Sequence, residues 1–234
     1  MYNTDFFDGE RMTAFVRGLT TGDYPGDTTL TVTQRVAIMT HDDYFDREMY
    51  DWEQEHGHRS TWFLLSDEIK DFDPAADLQL HYKMERRAWV GEQIDEFAQR
   101  VGRLPIANRN HRMFWRGGHL DFANLAMHGI RVDSTLGHDA GFRPCVDNRL
   151  LPIWELPYSV ADPPHVDATR GIYPTYNTVR PMRDLFRWGC TPLVGLFHPQ
   201  LKNQTDWKRF YEYADCYGYR LMTVSEFHAE YLPC

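Results

Sequence analysis

The chain has 234 residues and a formal net charge of −9, with 42% hydrophobic, 25% charged and 15% aromatic residues. That length supports a large core in one or two domains, and α/β barrels commonly reach it as a single unit. The acidic balance argues against an extended nucleic-acid footprint, and no apolar run approaches the roughly 20 residues that cross a bilayer. Cys145, Cys190, Cys216 and Cys234 show no Cys-x-x-Cys spacing, and residues 1–11 carry Asp5, Asp8 and Glu10 instead of a basic start and an apolar run. The expectation is a cytoplasmic protein without a signal peptide or a disulfide framework. Residues 1–34 hold a short helix (Glu10–Leu19) and a Gly/Pro/Asp/Thr-rich loop through Gly22, Pro25 and Gly26, read as a cap segment ahead of one domain over 35–234.

The first strand is the apolar run Val36-Ala37-Ile38-Met39, which breaks into Thr40-His41-Asp42-Asp43. A buried strand thus delivers two adjacent carboxylates to its own end. Like charges side by side need a cation, a positive side chain or a proton, so a metal site and a solvated acidic turn both remain open. A helix over Arg47–His56 stops at Gly57, and strands follow at Ser60–Leu65 and Leu78–Tyr82. Next come a helix over Arg87–Val101 closed by Gly102 and Pro105, a strand Ile106–His111, a helix Phe122–His128 and strands Ile130–Ser134 and Ile153–Tyr158. The chain finishes with helix Thr178–Trp188, strand Pro192–Phe197, helix Trp207–Tyr217, strand Tyr219–Thr223 and helix Val224–Tyr231. Such alternation predicts an α/β fold, a distorted barrel of about seven parallel strands, with an open doubly wound sheet as the alternative. Neither Gly-x-Gly-x-x-Gly nor a Walker-type loop supports the latter as a nucleotide site.

Barrels carry their chemistry at the C-terminal ends of strands. Here those ends hold Asp42-Asp43, His81, Arg109 with His111, and His198, while the Glu155 strand runs on to Asp162. Five strand ends with ionisable groups point to a catalytic centre. The remaining histidines fall in helices, turns or loops and read as ordinary surface or core groups.

With these residues assembled, the chain resembles the polysaccharide deacetylase family, the NodB-homology domain. Thr40-His41-Asp42-Asp43 is similar to the family's Thr-Phe-Asp-Asp, and Ser60-Thr61-Trp62-Phe63 to its Ala-Thr-Phe-Phe strand. Leu80-His81 resembles the start of the His-Ser/Thr-x-x-His motif, Arg109-Asn110-His111 its Arg-containing motif, and Leu196-Phe197-His198-Pro199 its closing Leu-x-x-His. Glu85 stands where the second histidine of that motif would be, and Arg-Asn-His replaces Arg-x-Pro, so the chain looks closer to a divergent branch that also carries Gly141-Phe142-Arg143.

The resemblance implies metal-dependent hydrolysis of an N- or O-acetyl group on a sugar. It makes Asp42 the general base, Arg109 its partner, Asp43 and His81 metal ligands and His198 the general acid. Asp162 is read as orienting His198, with Asp133 as runner-up, and Arg143 and Trp154 as contacting substrate. The implied cofactor is a divalent ion, zinc first, with cobalt, manganese, nickel or iron as alternatives. The implied partner is a carbohydrate or small molecule, with no nucleic acid or membrane. For a third protein ligand, His111 shares a strand face with Arg109 two residues earlier. Glu85 would need a helical turn after His81 and has Arg86 and Arg87 beside it as ion-pair partners, so His111 is preferred. Hydrolysis of a small non-sugar C–N bond, and a carbohydrate-binding module without turnover, remain the alternatives.

Overall fold

The computed structural model describes residues 14, 17, 29–84, 89–113, 119–137, 140–162, 182–203, 205 and 207–232. Strand β1 (Val36–Asp43) is buried almost throughout. Its alternation separates two cores: Val36 and Ile38 face an interior cluster with Phe63, Ala107, Val132, Val194 and Leu196, whereas Ala37 and Met39 join the larger cluster beneath the helices. Helix α1 (Arg47–Glu55) starts at Asp46, whose carboxylate accepts from Met49 N at 3.0 Å. Strands β2 (Ser60–Leu64) and β3 (Asp77–Tyr82) follow, then α2 (Val90–Val101), which ends at Gly102 with φ of 83°. That left-handed cap is a conformation glycine adopts without strain.

β4 (Ala107–Asn110), α3 (His119–Met127) and β5 (Val132–Asp133) lead into a hairpin of β6 (Cys145–Val146) and β7 (Arg149–Leu150). β8 (Trp154–Glu155), β9 (Val160–Ala161), α4 (Met182–Trp188), β10 (Leu193–Phe197), α5 (Trp207–Cys216), β11 (Arg220–Leu221) and α6 (Val224–Tyr231) complete the described elements. The main sheet runs β8-β5-β4-β3-β2-β1-β10-β9, with β11 also on β1, and all its pairs are parallel.

The curl is closed by one stretch, residues 154–162. Leu156 N donates to Asp133 O at 2.7 Å and Tyr158 N to Leu136 O at 3.2 Å, on the β5 side. Ser159 N then donates to Val194 O at 2.8 Å and Asp162 N to Leu196 O at 3.0 Å, on the β10 side. β8 and β9 are therefore two halves of one stave shared between two neighbours. Counting them together gives seven parallel staves around the interior, with β11 added outside the ring path. This is the distorted barrel expected from the strand–helix alternation.

Two features differ from the pattern read along the chain. The β6–β7 hairpin was not expected; it turns on Asp147 and Asn148, with φ of 50° and 58°, the backbone of a two-residue hairpin loop that Asp and Asn tolerate. Several strands are also shorter than expected: β5 covers Val132–Asp133 instead of Ile130–Ser134, and β8 covers Trp154–Glu155 instead of Ile153–Tyr158. The expected N-terminal cap lies mostly outside the described residues. Of its helix only Ala14 and Arg17 are described, both helical, and at its end Thr29 bridges Phe142 while Leu30 N donates to Gly141 O at 2.8 Å. Glu85 lies outside the described residues as well. Among the described residues no helix is long and apolar enough to cross a membrane.

Candidate metal and acid-base centre

Five parallel staves end on the same rim, and the ionisable residues at their ends converge there. Asp42 is fully buried on β1. Arg109, fully buried on β4, reaches across to it, with Nη1 2.7 Å from Asp42 Oδ1. The guanidinium is held on every side: Nη1 also donates to Thr40 Oγ1 at 2.6 Å, Nη2 to Ser134 Oγ at 2.8 Å and Nε to Ser134 O at 2.8 Å, and its plane lies 4.5 Å from the Phe63 ring centroid. Thr40 passes the network on by donating to Gly195 O at 2.6 Å. Gly195 cannot be larger, because a Cβ there would meet the Phe210 ring at 2.7 Å. Asp42 Oδ2 has no hydrogen-bond partner among the described residues and lies 3.9 Å from His81 Nε2. Arg109 thus compensates the charge of Asp42 through one oxygen and leaves the other available.

Asp43 turns away from this pair. Its φ is 79°, and Tyr44 N donates to Asp42 O at 3.2 Å, the i to i+2 closure of a γ-turn of the rare positive-φ kind. A non-glycine residue held there costs on the order of 1–3 kcal/mol and is typical of functional sites. Asp43 Oδ2 accepts from Gln200 Nε2 at 2.6 Å, whereas the buried Oδ1 has no hydrogen-bond partner among the described residues. Facing Oδ1 are His81 Nε2 at 3.4 Å and His111 Nε2 at 3.7 Å. Burial alone would raise the Asp43 pKa, but the facing His81 imidazole, with Gln200 and His198 in support, outweighs it and holds the carboxyl well below the usual range.

The donor atoms of Asp43, His81 and His111 lie within 4.8 Å of one another. His81 Nδ1 is 2.8 Å from the carbonyl of Arg109. A carbonyl only accepts, so Nδ1 carries a proton and Nε2 is the nitrogen turned towards the cluster, which offers its lone pair once an ion takes the place of its proton. One carboxylate oxygen and two imidazole nitrogens form a donor set suited to a first-row divalent ion, and an orphaned carboxylate oxygen sits at its centre. The residues fit such an ion. The structure brings Asp43, His81 and His111 together, although His111 stands in a short 3-10 turn (His111–Met113) just past β4 and not on the strand face expected for it.

His198 follows β10 and Asp162 follows β9, and these adjacent parallel strands set the two side chains next to each other. Asp162 Oδ1 lies 3.0 Å from His198 Nδ1, and Asp162 Oδ2 accepts from the His198 backbone N at 2.7 Å. Nδ1 is therefore the protonated donor and Nε2 is the nitrogen left for chemistry. Burial would lower the His198 pKa, but the Asp162 carboxylate, backed by Asp42 and Asp43, raises it to about 9. Asp133, the other residue considered for orienting His198, instead accepts from Asn108 and Thr135 and neighbours Glu155.

Arg143 donates to Leu151 O at 2.7 Å, and Trp154 opens β8 opposite Val132; none of the described contacts joins either to the Asp42 cluster. Gln200, Ser134 and Thr40 were not singled out as partners of the site residues. Gln200 stands two residues beyond His198 across Pro199, a position that could have suggested a group folding back over the rim.

No family model matches the chain, and no curated relative matches it. Solved structures do. A Mycobacterium smegmatis protein assigned as a polysaccharide deacetylase superposes with a TM-score of 0.59 at 13% identity, over 89% of this chain and 95% of that one. The chitin deacetylase of the fungal pathogen Colletotrichum lindemuthianum gives 0.52 at 13% identity, over 84% and 89%. The polysaccharide deacetylase Bc1974 of Bacillus cereus gives 0.51 at 14% identity, over 86% and 96%. Similarity over nearly the full length of each chain, with a parallel curled sheet of the same kind, shows that this chain has the fold of the polysaccharide deacetylases.

Proposed function

We propose that the protein is a divalent-metal-dependent hydrolase that removes an acetyl group from an N- or O-acetylated sugar or polysaccharide. The observation that carries this reading is that an Asp/His/His donor set lies between two proton-handling groups of opposite kind. One is a carboxylate partnered by arginine, and the other is a histidine whose proton is retained by a carboxylate. Asp43, His81 and His111 would hold the ion; when bound, it supplies Lewis acidity for an acyl carbonyl and a more acidic water.

The remaining chemistry belongs to the chain. Asp42 receives the proton of the attacking water at Oδ2, while Arg109 holds Oδ1 and fixes the carboxylate plane. His198, with Nδ1 committed to Asp162, delivers a proton from Nε2 to the leaving nitrogen or oxygen. With a pKa of about 9, it is protonated at neutral pH, as an acid must be before it acts. Burial of Asp42 and Arg109 keeps water from competing for their hydrogen bonds.

The experiment is acetate release from acetylated chitooligosaccharides, acetylated xylan and small cyclic amides by metal-loaded protein, alongside the Asp42→Asn variant. Release from a glycan that Asp42→Asn abolishes while keeping its metal supports the assignment. Activity confined to the cyclic amides would select a non-sugar amidohydrolase. Binding of glycans without any turnover would leave a carbohydrate-binding module. Metal content in His111→Ala and Glu85→Ala decides the third ligand: His111→Ala loses the ion and Glu85→Ala retains it, and the reverse result would move the ligand to Glu85.

A further inference from the structure

Behind the barrel wall, on the opposite side of β4 and β5 from Arg109, two carboxyls that play no part in the chemistry above meet in full burial. Asp133 and Glu155 are register neighbours on parallel β5 and β8, and neither side chain reaches solvent. Asp133 Oδ1 accepts from Asn108 Nδ2 at 2.7 Å and from Thr135 Oγ1 at 3.1 Å, and one Glu155 oxygen accepts from Leu136 N at 2.8 Å. The second oxygen of each, Asp133 Oδ2 and Glu155 Oε2, has no donor among the described residues. Two charged carboxylates in adjacent register without water or a cation would carry a repulsion and a desolvation cost that no fold of ordinary stability tolerates.

We propose that Asp133 and Glu155 share one proton across their orphaned oxygens, and that this bridged pair is the latch that closes the barrel and positions the residues holding Arg109 and His198. The bridge satisfies both orphaned oxygens at once: the protonated carboxyl donates and the ionised one accepts. Asp133 has two other donors and Glu155 one, so the negative charge belongs on Asp133 and the proton on Glu155. Burial, the charge of Asp133 and the hydrogen bond between them all push the Glu155 pKa well above the ordinary value. The charged or titratable groups on and beside the elements around the pair are Arg109 on β4, Arg131 just before β5, Asp121 on α3 and Cys145 on β6. Arg109 favours ionised Glu155 and is outweighed. Arg131 is occupied by the carbonyls of Ala126 and Ile130.

The link to the site is short. Ser134, next to Asp133, takes two of the Arg109 hydrogen bonds. Leu156, next to Glu155, donates to Asp133 O and begins the stretch that ends at Asp162. The pair thus ties the two chain segments that position the arginine and the acid's carboxylate. They are positioning residues; neither faces the metal cluster. The inference rests on packing alone and stands whatever substrate the site takes.

The test reads protonation and structure without any substrate. The infrared spectrum of the wild-type protein at pH 7 should show a buried protonated carboxylic acid, and Glu155→Gln should lose that band while keeping the fold, because the amide donates to Asp133 without titrating. For the stability readout, the raised folded-state pKa makes the proton's contribution complete below the unfolded value, near pH 4.5, and lost as pH rises through the folded value. The wild-type melting temperature should therefore fall more steeply with pH than that of Glu155→Gln, and hydrogen exchange at the Leu136 and Leu156 amides should quicken over the same range. If Glu155→Gln does not fold, Asp133→Asn is read in the same two ways. Absence of the acid band at pH 7, its survival in both variants, or melting curves that run parallel at every pH would overturn the proposal.

Discussion

Two histidines in this barrel are each held by a carboxylate, and their surroundings put them to different uses. His198 stands at the rim with about a quarter of its side chain exposed; Asp162 holds its Nδ1, and its second nitrogen is left to the site. His41 lies on the other face of β1, fully buried, with Nε2 2.6 Å from Glu53 Oε1. Tyr211 and Ser60 donate to the same Glu53 carboxylate at 2.6 and 2.5 Å, and the Trp62 ring lies 4.2 Å away, centroid to centroid. The rim pair has one acceptor, two donors that both belong to His198, and an exit to solvent. The sealed group has one acceptor and three donors drawn from β1, β2 and α5, with Glu53 itself on α1. The same chemical pair serves proton transfer where a nitrogen is left free, and clamps helices to the sheet where the carboxylate is saturated.

The comparison breaks most visibly at Glu53. Replacing it with alanine strands three buried donors, so Glu53→Ala should lose on the order of 3–5 kcal/mol in urea unfolding, an effect of stability and not of rate. At the rim the balance reverses. His198→Ala should slow turnover by roughly 100-fold, while stability moves by about 1 kcal/mol, since Asp162 keeps the backbone N of residue 198. An equal rate loss on amides and on activated esters, whose leaving groups need no proton, would reassign His198 to structure. The smallest effect sharpens the contrast through pH. The acid form of His198 is lost as pH rises through about 9, so the rate should fall there. Asp162→Asn removes the raising charge and should bring that alkaline limb down towards 6.5, the ordinary histidine value, in a pH–rate profile. A limb that stays put in Asp162→Asn would mean another group titrates.

The same contrast explains what could be read from the residues alone. The strands β1, β2, β3 and β10 were legible because both of their faces are buried, and Asp42, Asp43, His81 and His198 could be picked out as candidates because they end or directly follow three of them. Glu53 was not, because its role depends on how α1 lies on the sheet. A signal existed: it stands four residues beyond Met49, on the helix face that also buries Met49 and Tyr50, where a carboxylate without a partner would not be tolerated. Gln200, Ser134 and the Asp133–Glu155 neighbours were hidden for a similar reason, since each contact joins segments far apart in the chain. The β6–β7 hairpin was missed because two-residue strands carry too little alternation to register, although the Asp147-Asn148 pair is a turn signal.

The position of β1 at the middle of the sheet has a consequence for how the chain must be made. One flank of this strand is supplied by β2, which follows shortly, but the other is β10: the Thr40 hydroxyl meets the carbonyl of Gly195, 155 residues onward. The carboxylates of β1 are thus completed by a strand that is made 155 residues later. Until then β1 is an open edge with its hydrogen-bonding groups unpaired, and a chain cut before residue 193 would leave it permanently so, a surface apt to recruit other strands. Fragments of this barrel that keep Asp42 and Asp43 but lack β10 should aggregate before they bind any metal.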